Sequence, residues 1–90
     1  MNKVTYTIRS SRQLAGDIFE VILEGDTSAI TASGQFVNIQ LDGMFLRRPI
    51  SVCDYDAETL TIVYKVVGKG TEAMSAMGEG TKLDILTGLG

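Results

Sequence analysis

The stretch Leu60-Thr61-Ile62-Val63-Tyr64-Lys65-Val66-Val67-Gly68-Lys69-Gly70-Thr71 contains the two patterns on which a fold prediction depends. From Leu60 to Val66, every second residue is large and apolar or aromatic, which is typical of a β-strand with one buried face. Two glycines then precede Thr71, and the residues up to Met77 favour a helix that stops at Gly78. The stretch predicts a strand, a glycine-rich turn and a short helix with Thr71 as its N-cap.

The period of two recurs along the rest of the chain. Further strands are predicted at about residues 4–8, 19–23, 37–41 and 49–54, and around Leu83 and Ile85. Turn-forming pairs separate them; Gly25-Asp26 ends the second strand and Asp42-Gly43 the third. This spacing predicts an all-β, antiparallel barrel or sandwich of six strands with one helix.

Length and charge limit the kinds of partner. The 90 residues form one domain, and 44% of them are hydrophobic. The net charge of −3 argues against nucleic acid as the main partner, because phosphates along a strand need an excess of Lys and Arg. No apolar run approaches the length of a membrane span, and Met1 leads into a polar segment rather than a signal peptide. The chain is therefore expected to be cytoplasmic.

Missing residue types exclude several chemistries. The absence of histidine rules out His-dependent triads and zinc-hydrolase sites. The single cysteine, Cys53, cannot form an internal disulfide or hold an iron–sulfur cluster alone, and we expect it to be a small buried strand residue. Because no carboxylate pair suits acid–base chemistry, we predict no catalytic side chain and no metal site.

Arg48-Pro49-Ile50-Ser51 is the first candidate for ligand binding. The planar guanidinium of Arg48 suits a pyrophosphate better than a lysine would. Alternation along the strand puts Ser51 on the opposite face from Ile50, where its hydroxyl can bind a ring nitrogen of a flat cofactor. The alternative is an ordinary strand start, in which proline is tolerated.

Gly68-Lys69-Gly70-Thr71 is the second candidate. Small residues let the backbone approach an anion, and the start of a helix presents N–H groups to it. The segment lacks the spacing of a P-loop, and its antiparallel context argues against a Rossmann fingerprint. An ordinary glycine-rich turn is the alternative. Together with Arg48, these backbone N–H groups could hold the phosphates of a dinucleotide.

Three segments form a recognisable pattern: Gly34-Gln35-Phe36-Val37, then Leu46-Arg47-Arg48-Pro49-Ile50-Ser51-Val52-Cys53, then Val63-Tyr64-Lys65 followed by Gly68-x-Gly70-Thr71. With the predicted strand order, they resemble the FAD-binding barrel of the ferredoxin reductase superfamily. More narrowly, the chain is similar to the electron-transfer subunit of bacterial class 1B dihydroorotate dehydrogenase. The likeness covers essentially all 90 residues.

The resemblance implies a six-stranded antiparallel Greek-key barrel that binds FAD over residues 1–90. Position by position, it implies contacts from Arg48, Pro49, Ile50 and Ser51 to the flavin and its phosphates. It implies that Val63, Tyr64 and Lys65 line the isoalloxazine or ribityl region, and that Gly70 and Thr71 bind the pyrophosphate. Many superfamily members have a tyrosine that stacks on the flavin where Ile50 stands here.

The resemblance also implies an oxidoreductase component in pyrimidine biosynthesis. Family members continue into a nicotinamide-binding domain and a cysteine-rich segment with a 2Fe–2S cluster, and residues 1–90 contain neither. In the parent protein, electrons from dihydroorotate would pass through the FMN of a catalytic subunit, the cluster and FAD to NAD, so the fragment has no complete activity. Two alternatives stay open: the flavin domain of a sulfide dehydrogenase or NADH-dependent ferredoxin:NADP oxidoreductase, and a non-enzymatic barrel that binds an acidic partner through Arg47 and Arg48.

Overall fold

The strands close into a barrel. The computed structural model describes residues 2–41 and 47–88, which form the strands β1 (Asn2–Ala15), β2 (Ile18–Glu24), β3 (Phe36–Ile39), β4 (Arg48–Tyr55), β5 (Thr59–Lys65) and β6 (Lys82–Thr87), and the helix α1 (Lys69–Ser75). The order around the barrel is β1-β2-β5-β4-β3-β6, and every pair is antiparallel. Because β2 pairs with β5 and not with β3, the predicted Greek-key barrel is confirmed. The turn predicted at Asp42-Gly43 lies outside the described residues.

Alternating side chains fill the interior. In β5, Leu60, Ile62 and Tyr64 are buried, whereas Thr61 and Val63 between them are only partly covered. The other strands contribute in the same way, so the interior is built from one face of each strand. The buried apolar residues are Tyr6, Ile8, Val21, Leu23, Ile30, Val37, Ile39, Leu41, Ile50, Val52, Leu60, Ile62, Tyr64, Met74, Leu83 and Ile85.

β1 extends well beyond the predicted strand at residues 4–8. Its first half pairs with β6, and its second half pairs with β2 as far as Ala15. The second half is mostly exposed and polar, so it has no apolar alternation from which a strand could be predicted. Ion pairs to β2 accompany the pairing there, at 2.9 Å between Arg9 and Glu24 and 3.0 Å between Arg12 and Glu20.

The helix begins two residues earlier than predicted, and Thr71 is not its N-cap. Gly68 occupies the N-cap position, and Thr71 is the third helical residue. Its hydroxyl oxygen accepts hydrogen bonds from the backbone N–H groups of Val67 at 2.9 Å and Gly68 at 3.2 Å. The threonine thus binds N–H groups at the helix start, as predicted, but from inside the first turn. Met74 is fully buried and packs the helix onto the barrel.

Cys53 is exposed, so the prediction that it is buried is wrong. Its neighbours Ile50 and Val52 point inward, and alternation turns Cys53 to the outer face. The pairing with β5 also shifts register between Val52 and Asp54, which is the position of Cys53. Free cysteines are usually buried, but the alternation of side chains along β4 places Cys53 on the outside of the barrel.

One end of the barrel is closed by bonds within the protein. The hydroxyl of Tyr6 donates to the backbone carbonyl of Asp26 at 2.5 Å, and Thr27 donates to the carbonyl of Asp56 at 2.6 Å. Gly25 lies against the Tyr6 ring: a Cβ at position 25 would be 2.8 Å from Cδ2. We call this region the Tyr6 end. No helix within residues 2–41 and 47–88 has the length and apolar character needed to cross a membrane.

Candidate functional site

A cleft of about 250 Å³ opens between the start of β4, the end of β5 and the start of α1. Eight of the nine predicted site residues line it, and Val67 lines it in addition. Gly70 is the exception: it is buried in the first turn of α1 and does not border the cleft. The lining residues are Arg48, Pro49, Ile50, Ser51, Val63, Tyr64, Lys65, Val67 and Thr71.

Strand pairing explains why two distant segments meet in this cleft. β4 and β5 are antiparallel, and Val52 lies opposite Ile62. Residues 48–51 therefore run beside residues 63–65 at the same end of the sheet. The chain reaches α1 only a few residues after β5, which brings Thr71 to the edge of the same cleft. Arg48 and the helix start thus face one site, as their proposed common ligand requires.

The two consecutive arginines have different environments. The guanidinium of Arg47 donates to the Asp84 carboxylate at 2.9 Å and to the Asp84 carbonyl at 3.1 Å. Burial tends to raise the pKa of Asp84, but hydrogen bonds from Arg47 and Lys3 outweigh it and lower the pKa below its usual value. Arg48 is exposed, lines the cleft and has no acidic partner among the described residues. Arg48 is therefore available to an anion, whereas Arg47 is bound to Asp84 of β6 within the barrel.

Tyr64 lines the cleft and carries a buried polar atom. Its side chain lines the cleft and is 6% exposed, and its hydroxyl has no hydrogen-bond partner among the described residues. Burial raises the pKa of Tyr64 to about 12, so the hydroxyl keeps its proton at neutral pH. A buried hydroxyl without a partner costs free energy, and a polar ligand in the cleft would remove that cost.

The helix start offers fewer free N–H groups than the sequence predicted. The N–H of Gly68 is already bound to the Thr71 hydroxyl, so it is not available to a phosphate. The N–H groups of residues 69–71 belong to the first turn of the helix, where N–H groups have no acceptor within the helix itself. The prediction of bare amides at 68–71 is thus corrected to 69–71.

Two exposed apolar residues beside the cleft were missed by the sequence reasoning. Val67 lines the cleft and is 55% exposed. Phe36 is 42% exposed, and it lies directly opposite Ser51 in the pairing of β3 with β4. Cross-strand neighbours of this kind project from the same face of a sheet. The register of β3 against β4 was the missing information, because Gly34-Gln35-Phe36-Val37 was recognised only as part of a family pattern.

The composition of the cleft favours binding over catalysis by side chains. Among the described residues, its lining contains two cations, Arg48 and Lys65, and no carboxylate. Lys65 forms only a long ion pair to Asp17, at 3.8 Å between two exposed side chains, which water and salt weaken. Among the described residues, no group of three or more His, Cys, Asp or Glu side chains is placed to hold a metal ion. The cleft therefore suits an anionic ligand with flat, partly apolar surface.

Comparison of the sequence with curated proteins identifies relatives. The chain is 41% identical over 88 residues to "Dihydroorotate dehydrogenase B (NAD(+)), electron transfer subunit" of Streptococcus mutans, covering 93% of this chain and 34% of that protein. The chain thus spans about one third of the length of the curated relatives it matches. No protein-family model matches the chain.

Comparison with solved structures supports the same fold. The ferredoxin reductase of carbazole 1,9a-dioxygenase superimposes with a TM-score of 0.85 at 21% identity, covering 99% of this chain and 30% of that chain. An NADH-dependent reduced ferredoxin-NADP oxidoreductase, described in connection with flavin-based electron bifurcation, has a TM-score of 0.80 at 30% identity. The match covers 94% of this chain and 32% of the oxidoreductase chain. The barrel is therefore of the ferredoxin reductase type.

Proposed function

Since this chain belongs to the family of the electron transfer subunits of dihydroorotate dehydrogenase B, we propose that it is the FAD-binding barrel of such a subunit. One observation carries the proposal: residues from β4, β5 and α1, distant in the sequence, line a single cleft. That cleft contains an arginine without an acidic partner and a buried hydroxyl without a hydrogen-bond partner among the described residues.

The described residues fit FAD in three respects. Arg48 provides the pyrophosphate with a guanidinium that has no acidic partner among the described residues, and the helix start reaches the cleft at Thr71. Ser51, exposed on the outer face of β4, provides a hydroxyl for a ring nitrogen. Tyr64 provides a polar atom that needs a partner. Complete sites for small molecules usually measure about 300–1,000 Å³, so a cleft of about 250 Å³ would enclose part of a dinucleotide and leave the rest on the surface.

The protein's contribution is binding and orientation. When bound, FAD supplies the redox chemistry, and no side chain of the cleft has to act as a nucleophile or acid–base group. Arg48 and Lys65 would offset phosphate charge, while Ser51 and Tyr64 would fix the orientation of the polar ring edge. Val63 and Val67 would cover apolar surface and keep water from it.

In the whole protein, we propose that this barrel passes electrons from dihydroorotate oxidation towards NAD. The printed names of the curated relatives, which include NAD(+) and electron transfer, support this role. The further parts belong to the proposal: an FMN-containing catalytic subunit as partner, a 2Fe–2S cluster and a nicotinamide-binding domain elsewhere in the parent chain, and a cytoplasmic location. Residues 1–90 form only the FAD-binding barrel of this scheme.

The test is a titration of the purified 90-residue chain with FAD and with riboflavin, followed by flavin fluorescence. We expect saturable binding of FAD at micromolar concentration and at least about tenfold weaker binding of riboflavin, which lacks the phosphates that Arg48 would bind. Circular dichroism confirms that the barrel is folded during the titration. A folded barrel that binds no FAD at high micromolar concentration would contradict the proposal.

A second candidate follows from the structure comparison. The 30% identity to an NADH-dependent reduced ferredoxin-NADP oxidoreductase supports the flavin domain of that enzyme class. Both candidates use FAD, so binding does not separate them. Co-purification of the parent protein does: an FMN-containing catalytic subunit would support the first candidate, and a glutamate-synthase-like subunit would support the second. The non-enzymatic alternative is weakened, because Arg47 is bound to Asp84 and forms no free patch with Arg48.

A further inference from the structure

We propose that Phe19 is a positioning residue for the cofactor site: it holds the ring of Tyr64 so that the Tyr64 hydroxyl donates a hydrogen bond to a polar atom of the bound flavin nucleotide. This inference rests on the proposed function and goes beyond it, because Phe19 does not line the cleft and no part of the family pattern includes it. Three observations support it in turn.

The first observation is the contact between the two rings. Phe19 lies directly opposite Tyr64 in the pairing of β2 with β5. Their ring centroids are 5.9 Å apart and their planes differ by 21°, which is a stacked arrangement. Stacked aromatic pairs at such distances are favourable, and each limits the rotation of the other about its side-chain bonds. Phe19 is itself half-buried and packs against the core, so it does not move freely.

The second observation is the unpaired hydroxyl. Tyr64 reaches the cleft, and its oxygen is buried without a partner among the described residues. The comparable hydroxyl of Tyr6 is bound to the carbonyl of Asp26. Buried hydroxyls nearly always have partners, and a polar atom of a ligand bound beside Tyr64 is the partner that we assign to this one.

The third observation concerns the route by which Phe19 can act. A tyrosine has two side-chain torsions, and its hydroxyl lies at the far end of the ring. A small tilt of the ring therefore displaces the oxygen more than any other atom, and hydrogen bonds weaken steeply with misalignment. Phe19 stacks on the ring of Tyr64 but does not line the cleft, so any effect of Phe19 on the ligand has to pass through Tyr64.

A double-mutant cycle tests the proposal. FAD dissociation constants are measured by flavin fluorescence for the wild-type chain, Phe19→Leu, Tyr64→Phe and the double variant. We expect Tyr64→Phe to weaken FAD binding about tenfold, the size of one lost hydrogen bond, and Phe19→Leu to weaken it somewhat less. The double variant should bind no more weakly than Tyr64→Phe alone, because the hydroxyl that Phe19 positions is then gone.

Tyr55→Leu is the matched control. Tyr55 is also a partly buried aromatic residue packed against the core, but it does not line the cleft, so its removal should leave FAD affinity unchanged. Urea unfolding of every variant separates general destabilisation from loss of the hydrogen bond. If Phe19→Leu does not fold, Phe19→Met, which retains a long flexible apolar side chain, takes its place in the cycle.

Two outcomes would overturn the proposal alone. One is an effect of Phe19→Leu that persists at full size in the Tyr64→Phe background, which indicates a merely structural role. The other is unchanged FAD affinity in Phe19→Leu. Both leave FAD binding by the wild-type chain intact. If the wild-type chain is folded and binds no FAD, the proposed function and this inference fail together.

Discussion

Tyr6 and Tyr64 lie at opposite ends of the barrel and have contrasting environments. Both point inward and both are buried, at 0% and 6% exposed. The Tyr6 hydroxyl donates to the backbone carbonyl of Asp26, and its ring packs against Gly25. The Tyr64 hydroxyl has no partner among the described residues, and its ring borders the cleft. At the Tyr6 end the polar group is satisfied within the protein, and at the Tyr64 end we propose that a ligand satisfies it.

The contrast separates stability from binding in one small domain. Substitutions at the Tyr6 end should change the free energy of unfolding and leave FAD affinity alone. Substitutions at the cleft should change FAD affinity and leave the free energy of unfolding alone. The four predictions that follow compare the two ends, beginning with the largest expected effect.

Alkaline pH should destabilise both ends. Burial is the main cause that raises the pKa of Tyr6 to about 12, with a smaller contribution from Asp26, and burial alone raises that of Tyr64 to about 12. An unfolded tyrosine ionises near pH 10, so the stabilisation is complete below pH 10 and is lost as pH rises from 10 to 12. The loss should reach about 2–3 kcal/mol for each tyrosine. Urea unfolding at fixed pH values measures it, and stability that stays constant from pH 9 to 12 would contradict the prediction.

Arg47 and Arg48 provide a matched pair of substitutions, because only Arg48 lines the cleft. Arg48→Met should weaken FAD binding about 10- to 100-fold, the value of a hydrogen bond to a charged group, and leave unfolding unchanged. Arg47→Met should lower the free energy of unfolding by about 1 kcal/mol through loss of its bonds to Asp84, and leave FAD affinity unchanged. Fluorescence titration and urea unfolding measure both quantities. Equal effects of the two substitutions on FAD affinity would show that the arginines are not divided in this way.

Gly25→Ala tests the packing at the Tyr6 end. The added Cβ would lie 2.8 Å from Cδ2 of the Tyr6 ring, which is fully buried. We expect a loss of about 2 kcal/mol in the free energy of unfolding, typical of overpacking in a core. The control is Gly78→Ala, since a Cβ at Gly78 has no neighbour within 4 Å. Thermal unfolding of the two variants is the measurement. Equal midpoints would show that the Tyr6 ring shifts to accommodate the added methyl group.

Removal of the Tyr6 or the Tyr64 hydroxyl should give the smallest changes in the free energy of unfolding. We expect the first to destabilise the protein and the second not to. Tyr6→Phe should lower the free energy of unfolding by about 1 kcal/mol, because the Asp26 carbonyl loses its donor. Tyr64→Phe should be neutral or slightly stabilising without FAD, because it removes a buried hydroxyl that has no partner among the described residues. Urea unfolding without ligand measures both. A clear loss of stability in Tyr64→Phe would show that its hydroxyl already has a structural partner.

Much of the fold was predictable because the barrel depends on alternation. The strand containing Leu60, Ile62 and Tyr64 has the predicted buried face, and its neighbours follow the same rule. Prediction failed where alternation is absent or interrupted. The second half of β1 is polar on both faces and is held by pairing with β2, which no local pattern reveals. Cys53 was misplaced because a residue's average preference for burial says nothing about the phase of its strand.

The candidate site was predictable residue by residue only through family resemblance, and strand pairing explains its assembly. Antiparallel pairing places Arg48 and Ser51 beside Val63 and Tyr64, although more than ten residues separate the two segments in the sequence. The different environments of Arg47 and Arg48 could not be predicted, because they depend on Asp84 in a distant strand. The stacking of Phe19 on Tyr64 likewise requires the register of β2 against β5.

Seven of the nine residues around the cleft belong to β4 and β5, two strands of the closed barrel. Their positions are fixed by the same backbone hydrogen bonds that close the barrel, so the surface that we propose for FAD is in place without a ligand. A receptor of this kind loses little conformational entropy on loading. We therefore expect that FAD can be removed and bound again repeatedly, and that occupancy follows the concentration of free FAD.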